Sequence, residues 1–278
     1  MVKISSFYSA LMEENAYLIE ETSTGEMIAV DPNGSLYQFL LQQNSFKNTT
    51  WIINTHGHAD HISYNNQFVD NCSAKIIIGF ADQFLLGDSR QNFSFLFGKE
   101  ITSKAADVLI RETTVLPWSG KQIQIIPVGG HSKGSLVIKV DKAVLVGDLI
   151  SFDTYGITNF PDCDPLQCFK IVQNTIATTP SEYTIYPGHG QNRSCDWLKN
   201  SYNFSRTENE LAVTARSYIK LLKEANIKNH HRLTNLFGNT DFFSTKPLES
   251  ELGLRLLRQR FKIRALLRLY RAILESNK

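Results

Sequence analysis

His56-Gly57-His58-Ala59-Asp60-His61 puts three imidazoles and a carboxylate within six residues, directly after the apolar, β-branched run Thr50-Trp51-Ile52-Ile53-Asn54. A short run of that kind reads as a buried parallel strand. The chain breaks at Thr55 to His58 and resumes with a helix from Asp60, so the polar side chains stand at the C-terminal end of a strand. That is the edge at which α/β sheets build their sites. His56 and His58, with the flexible Gly57 between them, can point the same way from an extended loop and share one ion, whereas Asp60 and His61 are displaced toward a second position. Zinc accepts imidazole nitrogen and carboxylate oxygen in four- or five-coordinate shells, and catalytic sites keep one position for water. One ion cannot comfortably use all four ligands from so short a turn, and the motif points to two.

Five of the seven histidines lie at such positions. His131 follows Gln124-Ile125-Ile126-Pro127 and a Gly129-Gly130 turn, and His189 follows Tyr183-Thr184-Ile185-Tyr186 inside Pro187-Gly188-His189-Gly190. A further run, Ala143-Val144-Leu145-Val146, leads into Gly147-Asp148. Glycine at these turns gives the backbone freedom to aim a side chain. A single turn histidine is usually structural, but four strands that each end in a histidine or aspartate at a glycine turn are explained together by a convergent site at one sheet edge. His230-His231 lie in a polar segment with no strand or glycine turn and read as a solvated pair.

These residues resemble the metallo-β-lactamase superfamily, and within it the glyoxalase II-like branch, over about residues 1–192. Asn15-Ala16-Tyr17-Leu18-Ile19 followed by Ala29-Val30-Asp31-Pro32 is similar to that family's opening strands and acidic turn, and Thr55 to His61 matches its signature motif. The resemblance implies an α/β fold, an αβ/βα four-layer sandwich, with a catalytic domain over 1–192 and a helical C-terminal extension over 193–278. It implies that His56, His58 and His131 hold one metal, that Asp60, His61 and His189 hold a second, and that Asp148 bridges the two. Asp31, through its place in the family pattern, and more weakly Thr55, are the expected hydrogen-bond partners of the ligating imidazoles. One departure stands out: where glyoxalase II-like relatives often carry Gly-Arg-Thr-Asp, this chain has Gly156-Ile157-Thr158-Asn159, which exchanges an ion pair for a neutral arrangement.

Two divalent ions, zinc with iron or manganese also admitted, activate a shared water and polarise a carbonyl, so no serine or cysteine nucleophile is required. Asp148 would hold the ions together, and Asp60 would help orient the nucleophile. The leading expectation is hydrolysis of a small-molecule thioester or ester, as in hydroxyacylglutathione hydrolases. The alternatives are persulfide dioxygenation at a single iron, whose enzymes share the Thr55–Ile62 pattern, cleavage of RNA phosphodiesters, and a non-catalytic module whose tail docks a partner.

The net charge is only +2, yet residues 250–278 carry eight Lys or Arg against Glu251 and Glu275. In that tail Leu252, Leu256, Phe261, Ile263, Leu267, Tyr270 and Leu274 recur at helical spacing, an apolar stripe flanked by arginines. It reads as a helical cap that packs on the sandwich, with an anionic substrate, a nucleic acid or a protein partner as its other uses. Four cysteines without Cys-x-x-Cys spacing read as reduced thiols of a cytoplasmic protein. The start of the chain carries no apolar leader and no arginine-rich amphipathic stretch, so neither a targeting peptide nor a membrane span is expected.

Overall fold

Alternation in the strands sets the layers. In β2 (Asn15–Glu21) Tyr17 and Ile19 face one way and Ala16 and Leu18 the other, and all four are buried. A strand buried on both faces needs cover on both, so the sheet must lie inside a sandwich. The computed structural model describes residues 1–94, 98–156, 158, 160, 162–201 and 204.

The first sheet has the order β1 (Val2–Tyr8), β2, β3 (Met27–Val30), β4 (Thr49–Ile53), β5 (Lys75–Gly79), β6 (Val108–Ile110). Its first three strands are antiparallel and β3 to β6 run parallel. The parallel strands are linked by α1 (Gly34–Gln43) and by α2 (Ala59–Ile62) with α3 (Asn65–Cys72). The Asn33 side chain caps α1 by accepting from Leu36 N at 3.0 Å.

The second sheet runs β13 (Arg193–Ser194), β12 (Thr184–His189), β10 (Ala143–Ser151), β9 (Leu136–Val140), β8 (Lys121–Pro127), β7 (Thr114–Trp118), with the short β11 (Thr154–Tyr155) on β10. Only β10 and β12 pair in parallel, and α4 (Pro165–Thr178) makes that crossover. Asp164 caps α4 by accepting from Gln167 N at 2.9 Å, and Pro165 fits its first turn. After β13 the chain forms α5 (Cys195–Asn200).

Between the sheets, Tyr17, Ile28, Val30, Ile53 and Ile77 meet Ile123, Ile125, Leu136, Ile138 and Leu145. Outside the first sheet, Leu36, Leu40 and Phe68 of α1 and α3 cover Leu18, Ala29 and Ile52. Outside the second, Val172 and Ile176 of α4 and Leu198 of α5 cover Val137, Val144 and Ile185. These are the four layers of an αβ/βα sandwich. Arg193–Ser194 pair with β12 and Cys195 and Leu198 enter the second sheet's outer core, so the sandwich continues past residue 192. Residues 205–278, with the basic stripe and His230-His231, lie outside the described residues, as do Ile157 and Asn159.

The expectation of one sheet edge is corrected here. His56 to His61 follow β4 of the first sheet, whereas His131, Asp148 and His189 belong to the second. Backbone and side-chain bonds join the two sheets at this end. Leu136 N donates to Thr55 O at 2.8 Å, and the Tyr17 hydroxyl donates to Pro187 O at 2.6 Å.

Candidate metal centre

All seven expected ligands converge. His56, His58 and His131 form one group, His56, His61 and Asp148 another, and Asp60, His61 and His189 a third, with ligand atoms in each group within 4.8 Å of one another. The middle group was not anticipated: His56 reaches toward His61 as well as His58. His58, His61 and His131 are 4% exposed or less, an unusual concentration of buried imidazoles in one place.

Asp148 lies inside β10 rather than after it, because the strand continues through a register irregularity at Gly147. Gly147 takes φ +50° there, and a Cβ at that position would lie 2.5 Å from Thr55 Oγ1. The bulge turns the Asp148 carboxyl into the site. Its Oδ1 lies 3.3 Å from His61 Nε2, while Oδ2 lies 3.2 Å from His189 Nε2 and 3.7 Å from His131 Nε2. Asp60 Oδ2 sits 3.6 Å from His61 Nε2 and 3.4 Å from His189 Nε2.

The outward nitrogens are held by the protein. The Thr55 hydroxyl donates to Asp31 Oδ2 at 2.6 Å and so accepts from His56 Nδ1 at 3.1 Å. The same Asp31 oxygen accepts from His61 Nδ1 at 2.9 Å. His189 Nδ1 donates to Glu13 O at 2.8 Å. His58 Nε2 lies 3.4 Å from Asp162 Oδ2, leaving Nδ1 to face His131 Nε2 at 3.0 Å. Each bond fixes a tautomer and turns the other ring nitrogen inward.

The inward atoms fit a cation. His56 Nε2, His61 Nε2 and Asp148 Oδ1 are buried and make no hydrogen bond among the described residues. Stranding such atoms costs roughly 1–3 kcal/mol each, a penalty that coordination removes. Electrostatics agree. Burial opposes charge on His61, but Asp60, Asp148 and Asp31 outweigh it and hold its pKa well above the usual imidazole range. Burial likewise opposes charge on His189, and Asp148 and Asp60 overcome it, raising the pKa to about 10. Burial alone would raise Asp148, yet His189 and His61 hold it well below the carboxylate range. His56 goes the other way, pushed down by burial and then by the neighbouring imidazoles.

Three carboxylates carry no local sequence signal and were not anticipated. Asp82, 1% exposed, accepts from Gly57 N at 3.0 Å, Gly134 N at 2.6 Å and the Ser132 hydroxyl at 2.6 Å, tying the His56-to-His58 turn to the His131 loop. Asp162 supports His58. Glu14, also 1% exposed, is pushed up to about 7 by burial and then by the Asp60 charge.

No cysteine is among the candidate metal-holding groups of the described residues, although the Cys163 thiol donates to His131 O at 2.6 Å. Burial pushes Cys168 up to about 12, and Cys163 and Cys195 are buried too. Only Cys72 of the four is partly exposed. Burial also raises Cys72, so labelling of the folded protein with a disulfide reagent at pH 8 is expected to modify Cys72 slowly but ahead of the other three, which react only on unfolding. Fast modification of two or more thiols would contradict this packing.

A two-sheet sandwich with a histidine and aspartate cluster at one end defines a metal-binding class of protein. A family model described as the metallo-beta-lactamase superfamily matches residues 12–189, and the chain belongs to that superfamily. A probable metallo-hydrolase of Streptococcus pyogenes is 24% identical over 212 residues, spanning 73% of this chain and 90% of that protein. Among solved structures, the BLEG-1 B3 metallo-beta-lactamase superposes with a TM-score of 0.66 at 23% identity, covering 72% of this chain and 98% of that one. A di-iron-bound form of TTHA1623 gives 0.59 at 24% identity, covering 71% and 96%. No helix among the described residues is long and apolar enough to cross a membrane.

Proposed function

We propose that this metallo-β-lactamase-fold metallohydrolase holds two divalent ions and cleaves a thioester or ester of a small molecule. His56, His58 and His131 would take one ion, Asp60, His61 and His189 the other, with Asp148 between them. The observation that carries the reading is the Asp148 carboxyl, whose Oδ1 faces His61 while Oδ2 faces both His131 and His189. A carboxyl within reach of histidines from both groups is suited to serve as their shared ligand. The di-iron-bound form of the structural neighbour TTHA1623 supports two ions, and similarity to the probable metallo-hydrolase of Streptococcus pyogenes supports hydrolysis.

When bound, such ions lower the pKa of water and polarise a scissile carbonyl. The chain's own work is to keep the site ready. Asp31 and Thr55 hold His61 and His56 in the tautomers that face inward, Asp148 would be shared by the two ions, and Asp60 would hold the second together with His61 and His189. The Asp162 contact to His58 leads to a graded expectation: Asp162→Asn should weaken metal binding roughly 10–100-fold without unfolding the protein. Competition with a chromophoric chelator reads this directly, and unchanged affinity would reduce Asp162 to a surface contact.

The test of the function is metal quantification after supply of zinc, iron or manganese, followed by a panel of thioesters, esters, lactones and phosphodiesters. Two ions per chain with thioester or ester turnover support the reading. One iron per chain, with oxygen consumed on a glutathione persulfide, would overturn it, as would turnover confined to RNA or other phosphodiesters.

A further inference from the structure

Asp82 binds segments from both sheets at the candidate centre. β5 runs parallel to β4, so the two strands end at the same edge of the first sheet. Beyond Gly79 the chain turns into a 3₁₀ helix, Phe80–Leu86, which brings Asp82 against the turn that follows β4. Its Oδ2 accepts from Gly57 N at 3.0 Å and from the Ser132 hydroxyl at 2.6 Å, and its Oδ1 accepts from Gly134 N at 2.6 Å. All three partners donate, which suits an acceptor-only carboxylate. Gly57 lies between His56 and His58, and Ser132 follows His131. Each histidine of that group is therefore one residue away from a donor to Asp82.

The approach is too close for intervening side chains. A Cβ on Gly134 would lie 2.6 Å from Asp82 Cγ, and one on Gly57 would lie 2.7 Å from Leu85 Cβ in the same 3₁₀ helix. The His131 loop is also closed on itself. Val128 N and Gly129 N donate to Ser135 O at 2.9 and 3.1 Å, and Ser132 N donates to Ser135 Oγ at 2.9 Å. Asp82 joins that closed loop to the His56-to-His58 turn. The other group draws on different supports, with Asp31 accepting from His61 Nδ1 and Glu13 O accepting from His189 Nδ1.

We infer that Asp82 is a positioning residue for the ion that His56, His58 and His131 would hold, setting the three imidazoles at their mutual spacing before the ion arrives. Ligands from two sheets must otherwise be gathered by the ion, and the cost of ordering their loops is subtracted from its affinity. This rests on the metal centre of the reading above and adds to it a residue that touches neither ion nor substrate.

The test reads metal affinity apart from turnover. Asp82→Asn keeps the shape of the side chain but turns one acceptor into a donor, so either Gly57 N or Gly134 N loses its bond. Titration of the full chain, freed of metal, with cobalt(II) and detection by the visible bands of the bound ion should show roughly 10–100-fold weaker binding. Ser132→Ala removes one bond and leaves both backbone donors, so its loss should be about tenfold, the lower end of that range. It keeps the test sound if Asp82→Asn does not fold. Leu198→Ala, in the outer core of the second sheet, should lower the melting temperature yet bind cobalt as the wild type does. Wild-type affinity in Asp82→Asn, or in Ser132→Ala where Asp82→Asn does not fold, overturns the proposal, since Asp82 would then only hold the fold. Equal weakening in Leu198→Ala overturns it too, because affinity would merely follow stability. If the variants differ as expected while the wild type cleaves no thioester or ester, the hydrolysis reading fails and the positioning role stands. A wild type that binds no divalent ion overturns both.

Discussion

Asp148→Ala is expected to abolish metal loading and turnover together while leaving the sandwich folded. The carboxyl lies within reach of His61, His131 and His189 at once, so its loss removes the link between the two halves of the centre. It also leaves a concentration of buried imidazoles with less anionic compensation, which raises the cost of bringing cations there. The fold survives for a separate reason. All nine residues of β10 are buried, and the strand is paired with β9 and β12 by its backbone, which the substitution leaves in place. His58→Ala should match it in metal content and turnover through the other half of the site. Elemental analysis after dialysis, activity on the best ester of the panel and far-ultraviolet circular dichroism separate these outcomes. A variant of either kind that keeps full metal and full activity would mean that the seven residues are not the centre.

Much of this cluster could be read along the chain because most of its side chains sit at or near strand ends. Ligation demands residue types that are rare in turns, and His56, His58, His61, His131 and His189 each carry that mark with a glycine nearby. Asp31 was legible for the same reason: it follows a short apolar strand, and the structure gives it Thr55 and His61 as partners. What could not be read is which sheet each strand joins. An apolar run looks the same in either, and the pairing of β10 with β12 depends on a crossover rather than on local pattern. Asp82 follows the apolar strand that ends at Gly79 but lies inside a 3₁₀ stretch, Phe80–Leu86, and its role could not be read because its three donors come from segments 25 to 52 residues away.

Gly188→Ala should be nearly as damaging as loss of Asp148, although it removes no ligand. A Cβ at residue 188 would stand 1.9 Å from Asp148 Oδ1 and 3.0 Å from His61 Cε1. Either the carboxyl or the Pro187–Gly190 turn must move. The turn is pinned: Asn15 donates to Pro187 O at 3.1 Å and Gly190 O at 2.8 Å, and the Tyr17 hydroxyl donates to Pro187 O at 2.6 Å. Overpacking of this kind costs about 1–3 kcal/mol, which for a domain of this size lowers Tm by roughly 2–4 °C per kcal/mol. Metal should be lost first from the side that His189 and Asp60 serve. Tyr17→Phe tells strain from a general loss of order. Alone it removes the hydroxyl's contacts with Pro187 O and Asn192 Oδ1, a loss of about 1 kcal/mol. Combined with Gly188→Ala it frees the turn to retreat, so the double variant should melt higher than the sum of the two losses predicts. Its metal content should stay low, because a turn that retreats carries His189 away from Asp148. Additive melting shifts would place the strain elsewhere, and wild-type metal content in Gly188→Ala would show that Asp148 does not need the space glycine leaves.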